Sequence, residues 1–279
     1  MLSNNPLRQY FRQPAIFIKL PSQGNFYPEG TLELPPTGEL PVFPMTAIDE
    51  ITYRTPDALF NGSAVVSVIQ SCIPNIRDAW VMPAIDVDTV LISIRIASYG
   101  HEMETNTKCP NCEHEAEYVV DLRTLFDKMK APDYNTPIHS GDMEFYFRPI
   151  NYKDINENNQ LQFEEQRMLQ AMASVEMSDE DKSKTVSQAL KKITEITVKA
   201  MAQSIAAVKT PTALVTEREF IDDLLKNCNR TLFTKLRDHI LKLKSDTEIQ
   251  PLDIKCTECT HEYKQSVTLD VSNFFGDAS

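Results

Sequence analysis

Apolar residues along this chain of 279 fall mostly into helical spacing, broken by a few short alternating runs. Ala64, Val65, Val66, Val68, Ile69 and Cys72 make one apolar stretch, ended by Pro74, that predicts a helix. Residues 86–100 predict a second; their Ile and Val content would also suit a strand, but the length and the closing Tyr99-Gly100 favour a helix with a glycine C-cap. A helical stretch is predicted over 153–174. The next helix opens at Ser178-Asp-Glu-Asp181, a capping-box pattern with Asp as its last member. Its expected buried face is Val186, Leu190, Ile193, Thr197, Ala200, Met201 and Ile205. Two further helices are expected over 217–228 and 230–243, the later one burying Leu232, Phe233, Leu236, Ile240 and Leu243. Period-two patterning predicts strands at 15–20 and 143–148. Residues 31–34 are expected to pair with 15–20, across the turn Pro21-Ser-Gln-Gly24, while 40–43 runs along an edge.

Residues 1–55 are punctuated by Pro6, Pro14, Pro21, Pro28, Pro35, Pro36, Pro41 and Pro44, which leaves no room for a self-sufficient core. Two readings stay open: an arm reaching to another subunit, and a strap lying on its own domain. The loop from 75 to 83 carries the single tryptophan, Trp80, beside Ile76 and Met82. A loop folded into the core is expected over an exposed docking loop. Asp86 and Asp88 open the helix that follows, where the macrodipole favours negative charge, so capping is expected over paired catalytic carboxylates. Cys72 and Cys228 sit in apolar helical surroundings and read as buried small hydrophobes.

Two short stretches are near copies: Lys108-Cys-Pro-Asn-Cys112-Glu-His-Glu and Lys255-Cys-Thr-Glu-Cys259-Thr-His-Glu. Each is followed by strand formers, Tyr118-Val-Val and Ser266-Val-Thr-Leu. A tight turn that aims two thiolates at one point is the shape of a zinc knuckle, and two such pairs supply the closed tetrahedral shell of structural Zn²⁺. Cys109, Cys112, Cys256 and Cys259 are therefore the expected metal ligands. His114 and His261 are candidate substitutes, read here as polar residues at the knuckle rim. No signal peptide opens the sequence, so a reducing compartment is expected and disulfides within each C-x-x-C are disfavoured. A redox dithiol calls for a helix after the first cysteine, whereas strand formers stand here. Four thiolates leave no open position for water, which speaks against catalytic zinc.

Charge and motif content narrow the function. The net charge is −12, which argues against a nucleic-acid-binding zinc ribbon, since Lys108, Lys255 and Lys264 are too few to form a basic stripe. No apolar run approaches a membrane span, so a soluble intracellular globular protein is expected. There is no G-x-G-x-x-G, Walker-type loop, G-x-S-x-G or H-E-x-x-H. The five histidines (101, 114, 139, 239, 261) show no spacing suited to a catalytic pair, and only seven glycines are present to build phosphate loops. A non-enzyme is expected. The alternative is a cryptic site around Asp86, Asp88, Arg95 and His101.

The expected fold class is α+β, mainly helical. Its parts are a proline-rich β arm (1–55), a helical domain (56–107), a zinc ribbon formed by two knuckles (108–121 and 255–271), and a helical insertion (122–254) clamped at its base by the metal.

Several motifs resemble a known family. Leu20-Pro-Ser-Gln-Gly-Asn-Phe-Tyr-Pro28, Pro44-Met-Thr-Ala-Ile-Asp-Glu50 and Thr55-Pro-Asp-Ala-Leu-Phe-Asn-Gly62 are similar to baseplate proteins of T-even-type contractile-tailed phages. So are Val68-Ile-Gln-Ser-Cys-Ile-Pro74 and Ile94-Arg-Ile-Ala-Ser-Tyr-Gly100, ahead of the first C-x-x-C. The family is described as baseplate hub subunits or hub-assembly proteins, and the resemblance covers about residues 14–125 well. It implies a non-enzymatic role in tail assembly in the host cytoplasm, with the baseplate hub and the tape-measure protein as partners. A permanent place in the virion baseplate is the alternative it leaves open.

Overall fold

In the computed structural model the described residues are 6–55, 61–126, 129, 131–173, 179–247, 249 and 251–265. They separate into two units, one drawn from 1–79, 85–130 and 248–279, the other from 80–84 and 131–247. Both mix helix and strand, so the architecture is α+β.

The first unit is centred on helix α3 (Ala84–Tyr99), which is buried on nearly every side of its first three turns, from Ile85 to Arg95. That explains its near-continuous Ile and Val content: a helix apolar all round belongs in a core. Helix α2 (Ser63–Cys72) buries Ala64, Val65, Val66, Val68, Ile69 and Cys72, and starts after Gly62 in the left-handed region. Helix α1 (Ala47–Tyr53) opens with a capping box between Thr46 and Asp49.

The proline-rich segment lies on this unit as a strap. Strand β1 (Ile16–Ile18) pairs antiparallel with β2 (Leu40–Val42), in the register Ile16 to Val42 and Ile18 to Leu40. Ile18, Leu40 and Val42 are buried while Phe17, on the opposite face, is exposed. Residues 31–34 were expected to be the partner of β1; instead Leu32 bridges Ile76, and Glu33 and Thr31 bond the backbone of Asn75 and Arg77. A proline at position 41 sits in β2, where a two-stranded ribbon leaves one edge without ladder bonds. Arg12 fastens the start of the strap, donating to the Ser71 carbonyl (2.7 Å) and hydroxyl (2.8 Å) and to Asp49 (3.2 Å). Ile76 and Met82 are fully buried, in line with a folded loop at 75–83.

Residues 102–107, expected within a helical domain, are strand. β3 (Glu102–Lys108) and β4 (Glu115–Asp121) form a seven-pair hairpin, followed by the short helix α4 (Arg123–Phe126).

The second unit is built on an antiparallel sheet, of which the strand expected at 143–148 is one member and another, Ile205–Lys209, was concealed by helical periodicity. Its strands β5 (Ile138–Ser140), β6 (Met143–Phe147), β7 (Ile205–Lys209) and β8 (Leu214–Val215) lie in that order. Neighbours β6 and β7 are joined through helices α5 (Tyr152–Ala173) and α6 (Asp179–Ser204). A register shift at Tyr146/Phe147 sets Ile205 opposite Phe147 and Val208 opposite Phe145, so residues three apart on β7 are both buried. Helices α7 (Arg218–Asn227) and α8 (Arg230–Thr247) complete the core, with Ile221, Leu225, Leu232, Leu236 and Leu243 buried against Phe145, Phe147 and Met201.

The face expected for α6 is corrected. Met201 is buried as expected, but Leu190 (59 %), Ile193 (39 %) and Thr197 are exposed, and the side chain of Val186 lies outside the described residues; the other buried positions among the described residues of the helix are Ala189, Ile196, Val198, Ala202 and Gln203. Ile205 is the first residue of β7 and not the end of a helical stripe. The α5–α6 seam is polar: Lys192 pairs with Glu165 (2.8 Å), and Gln203 takes a bond from Asn158 (2.9 Å) and gives one to Asp154 (2.7 Å). Ser178 of the expected capping box lies outside the described residues. Cys72 is buried as expected, whereas Cys228 is only partly so.

Candidate metal centre

The last two strands, β9 (Leu252–Lys255) and β10 (Glu262–Gln265), form a second hairpin, in the first unit. Both cysteine pairs sit in the loops of their hairpins and are built alike. Lys108 opposes Glu115 and closes the first loop; Lys255 opposes Glu262 and closes the second. Inside each, the first cysteine donates its N–H to the histidine carbonyl, Cys109 to His114 and Cys256 to His261, both at 2.9 Å. The residue after the second cysteine then turns back: Glu113 donates to the Cys109 carbonyl and Thr260 to that of Cys256, at 2.9 and 3.1 Å. That turn puts Glu113 and Thr260 in the left-handed region, each at φ 58°. Neither is glycine, and a β-branched threonine there is strained. The strands expected to follow the second knuckle begin at Glu262; Ser266 to Leu269 lie outside the described residues.

The two loops meet sulfur to sulfur. Cys109 Sγ lies 3.7 Å from Cys259 Sγ, Cys112 Sγ lies 3.6 Å from Cys256 Sγ, and all four fall within 4.8 Å of one another. Cys109 and Cys256 are buried; Cys112 is exposed and Cys259 half-buried. Hydrogen bonds also join the hairpins, from Tyr118 Oη to the Lys255 carbonyl (3.2 Å) and between Thr107 and Tyr263 hydroxyls. Asn111 Nδ2 points at Cys259 Sγ from 3.5 Å. Asn111, Thr107, Tyr118 and Tyr263 had no recognisable signal in the sequence, because their partners lie about 150 residues away.

The thiols perturb one another. The Asn111 amide, together with the His261 backbone N–H, holds the Cys259 thiol down to about 6. The His114 N–H favours the Cys112 thiolate, yet hydrogen bonds to Cys259, Cys256 and Cys109, with water displaced by those neighbours, push that thiol up to about 12. Neighbouring thiols this close resist ionising together, and a bound dication removes that conflict. His114 and His261 contribute backbone carbonyls to the turns, and the cluster of potential ligand atoms consists of sulfur alone. Four cysteines that lie this close can hold a metal ion.

A family model described as T4 bacteriophage base plate protein matches residues 44–276. The chain belongs to that family. The match takes in both cysteine pairs and most of both units, but begins after Leu20-Pro-Ser-Gln-Gly-Asn-Phe-Tyr-Pro28, part of the motif set noted above. No curated protein and no solved structure matches the chain. As a member of a structural base plate family, the protein works among other phage tail proteins. Among the described residues, no helix is long and apolar enough to cross a membrane.

The other residues singled out in this base plate protein do not converge. Asp86 is not a cap: it is fully buried and accepts from the Ser22 N–H (2.8 Å), the Ser22 hydroxyl (2.6 Å) and the Tyr27 hydroxyl (3.0 Å). Burial raises its pKa to about 6 against those three bonds, which lower it. Arg95 comes nine residues later, on the opposite side of α3 and roughly 13 Å along the axis, with its guanidinium 5.7 Å from the Tyr99 ring. Asp86, Asp88, Arg95 and His101 thus do not assemble into one site. On the hairpins, Lys108 pairs with Glu113 (3.2 Å), Lys255 opposes Glu262 and Lys264 opposes Asp253, so these lysines form no basic stripe.

Proposed function

We propose that the protein serves assembly of the baseplate hub by protein–protein contact, with the hub and the tape-measure protein as partners, and that Zn²⁺ bound by Cys109, Cys112, Cys256 and Cys259 holds its two hairpins together. The observation that carries the assembly reading is the base plate family match over 44–276. A tetrahedron with Zn–S bonds of roughly 2.3 Å has S···S edges of roughly 3.8 Å. The 3.6 and 3.7 Å contacts between the loops sit close to that edge. A sulfur-only, four-member set favours Zn²⁺ over harder divalent ions. Bound there, the ion has a closed shell and a purely structural part. The net charge of −12 suits a basic partner and keeps an assembly intermediate soluble.

The second reading, a permanent subunit of the virion, draws support from the family's own description as a base plate protein. Tagged protein recovered from phage-infected cells, with zinc measured on the same eluate and purified virions probed for the chain, separates the two. Hub and tape-measure proteins in the eluate, and no chain in virions, would establish an assembly factor acting in the host cytoplasm. The chain in virions would make it a subunit. Recovery without any tail protein would refute both.

A further inference from the structure

The sulfur contacts have a second chemistry in them. Each close pair joins the two loops and couples an accessible cysteine to a buried one: exposed Cys112 to Cys256 at 3.6 Å, half-buried Cys259 to Cys109 at 3.7 Å. We infer that the centre is a redox-convertible clamp, in which a peroxide-class oxidant exchanges the bound metal for two disulfides between the loops, Cys112–Cys256 and Cys109–Cys259. This rests on the metal reading above.

In each half, the accessible thiolate attacks the peroxide O–O bond, forming a sulfenic acid and releasing hydroxide. The buried thiolate then attacks that sulfur, the S–S bond forms and a second hydroxide leaves. Two electrons pass from the two sulfurs to one peroxide per disulfide, and the metal departs with no thiolate left to hold it. The sulfur contacts at 3.6 and 3.7 Å run between the loops, which favours links across them. Neither C-x-x-C opens a helix; each is held as a turn by the Cys109–His114 and Cys256–His261 bonds and by the left-handed Glu113 and Thr260. The new links would span 144 and 150 residues, as the metal does, so the hairpins stay joined. Under the second reading, in which the chain is a virion subunit, a particle leaving a reducing cell for an oxidising medium would keep its clamp in covalent form.

The test titrates the zinc-loaded full-length protein with hydrogen peroxide, reading released zinc with a chromogenic chelator and mapping disulfides by non-reducing peptide mass spectrometry. The expected result is one zinc released per chain and peptides linking 109 to 259 and 112 to 256, reversed by dithiothreitol with zinc. Links 109–112 and 256–259, links between chains, or sulfinic and sulfonic products without cross-links would overturn the proposal. The same map on chelator-treated protein keeps the arms apart: a chain purified without metal defeats the zinc reading, while its disulfide pattern still decides the pairing.

Discussion

The hairpin module and the core of the second unit hold chain together by different means. In the second unit, twelve buried apolar side chains from two strands and three helices close on one another. In the hairpins the buried residues are few: Thr107, Cys109 and Val120 on one, Ile254 and Cys256 on the other. Four seven- or four-residue strands cannot bury enough apolar surface to repay their ordering. A handful of hydrogen bonds joins them there, and on the proposed reading a metal held by the four sulfurs does the rest. The lesson is that apolar pattern locates one kind of cohesion, and ligand spacing the other.

The harshest way to break the contrast is Cys256→Ser. A structural zinc contributes on the order of 10 kcal/mol in isolated fingers, part of it offset here by closure of a long loop. Hydrogen exchange should show both hairpins losing protection, metal content should fall to near zero, and the helices of the second unit should stay protected. Full metal occupancy in that variant would contradict the assignment. Leu236→Ala is the converse. It empties a fully buried position in the second core, for an expected cost of about 2–5 kcal/mol. Metal stoichiometry should not change, and a parallel loss of zinc would show the two regions to be coupled.

Asp86 sharpens the picture, because it is a polar tie that costs stability when charged. Its folded pKa of about 6 lies above the ordinary carboxylate value. The stability it adds is therefore complete below the ordinary value and lost as pH rises through about 6. Wild type should lose stability relative to Asp86→Asn across that window, with a slope of up to ~1.4 kcal/mol per pH unit. Denaturation curves of both proteins between pH 4 and 7 check it, and parallel profiles would refute it. The smallest effect is Thr260→Gly, which relieves a left-handed β-branched residue in the second loop. A gain of about 0.5–1 kcal/mol in hairpin stability is expected, read as slower exchange of β9 and β10 amides.

What was legible in the chain follows the same division. The meeting of the four cysteines could be read because its signal is local: two cysteines, a fixed gap and strand formers beside them, given twice. Helices α2, α3, α7 and α8 could be read because periodicity and helix ends are local too. Leu190 and Ile193 misled, since periodicity says that a residue is apolar and not whether anything covers it. Strand β7 was hidden because α6 runs into it at Ser204 and Ile205 without glycine or proline to mark the change. The tie between Asp86 and Ser22 spans 64 residues, and Asp86 has the look of a helix-end acid from either side. The pairing of β1 with β2 instead of 31–34 turned on Leu32 finding Ile76.

The distance between the two knuckles also has a bearing on synthesis. With ligands up to 150 residues apart, a ribosome adding roughly 5–20 residues per second needs ~7–30 s to deliver the second pair after the first. For that interval Cys109 and Cys112 wait on a nascent chain as half a site, while the sheet and helices encoded between them have time to fold. The order of translation thus makes the sulfur cluster the last joint to close, and a free thiol pair the mark of an unfinished molecule.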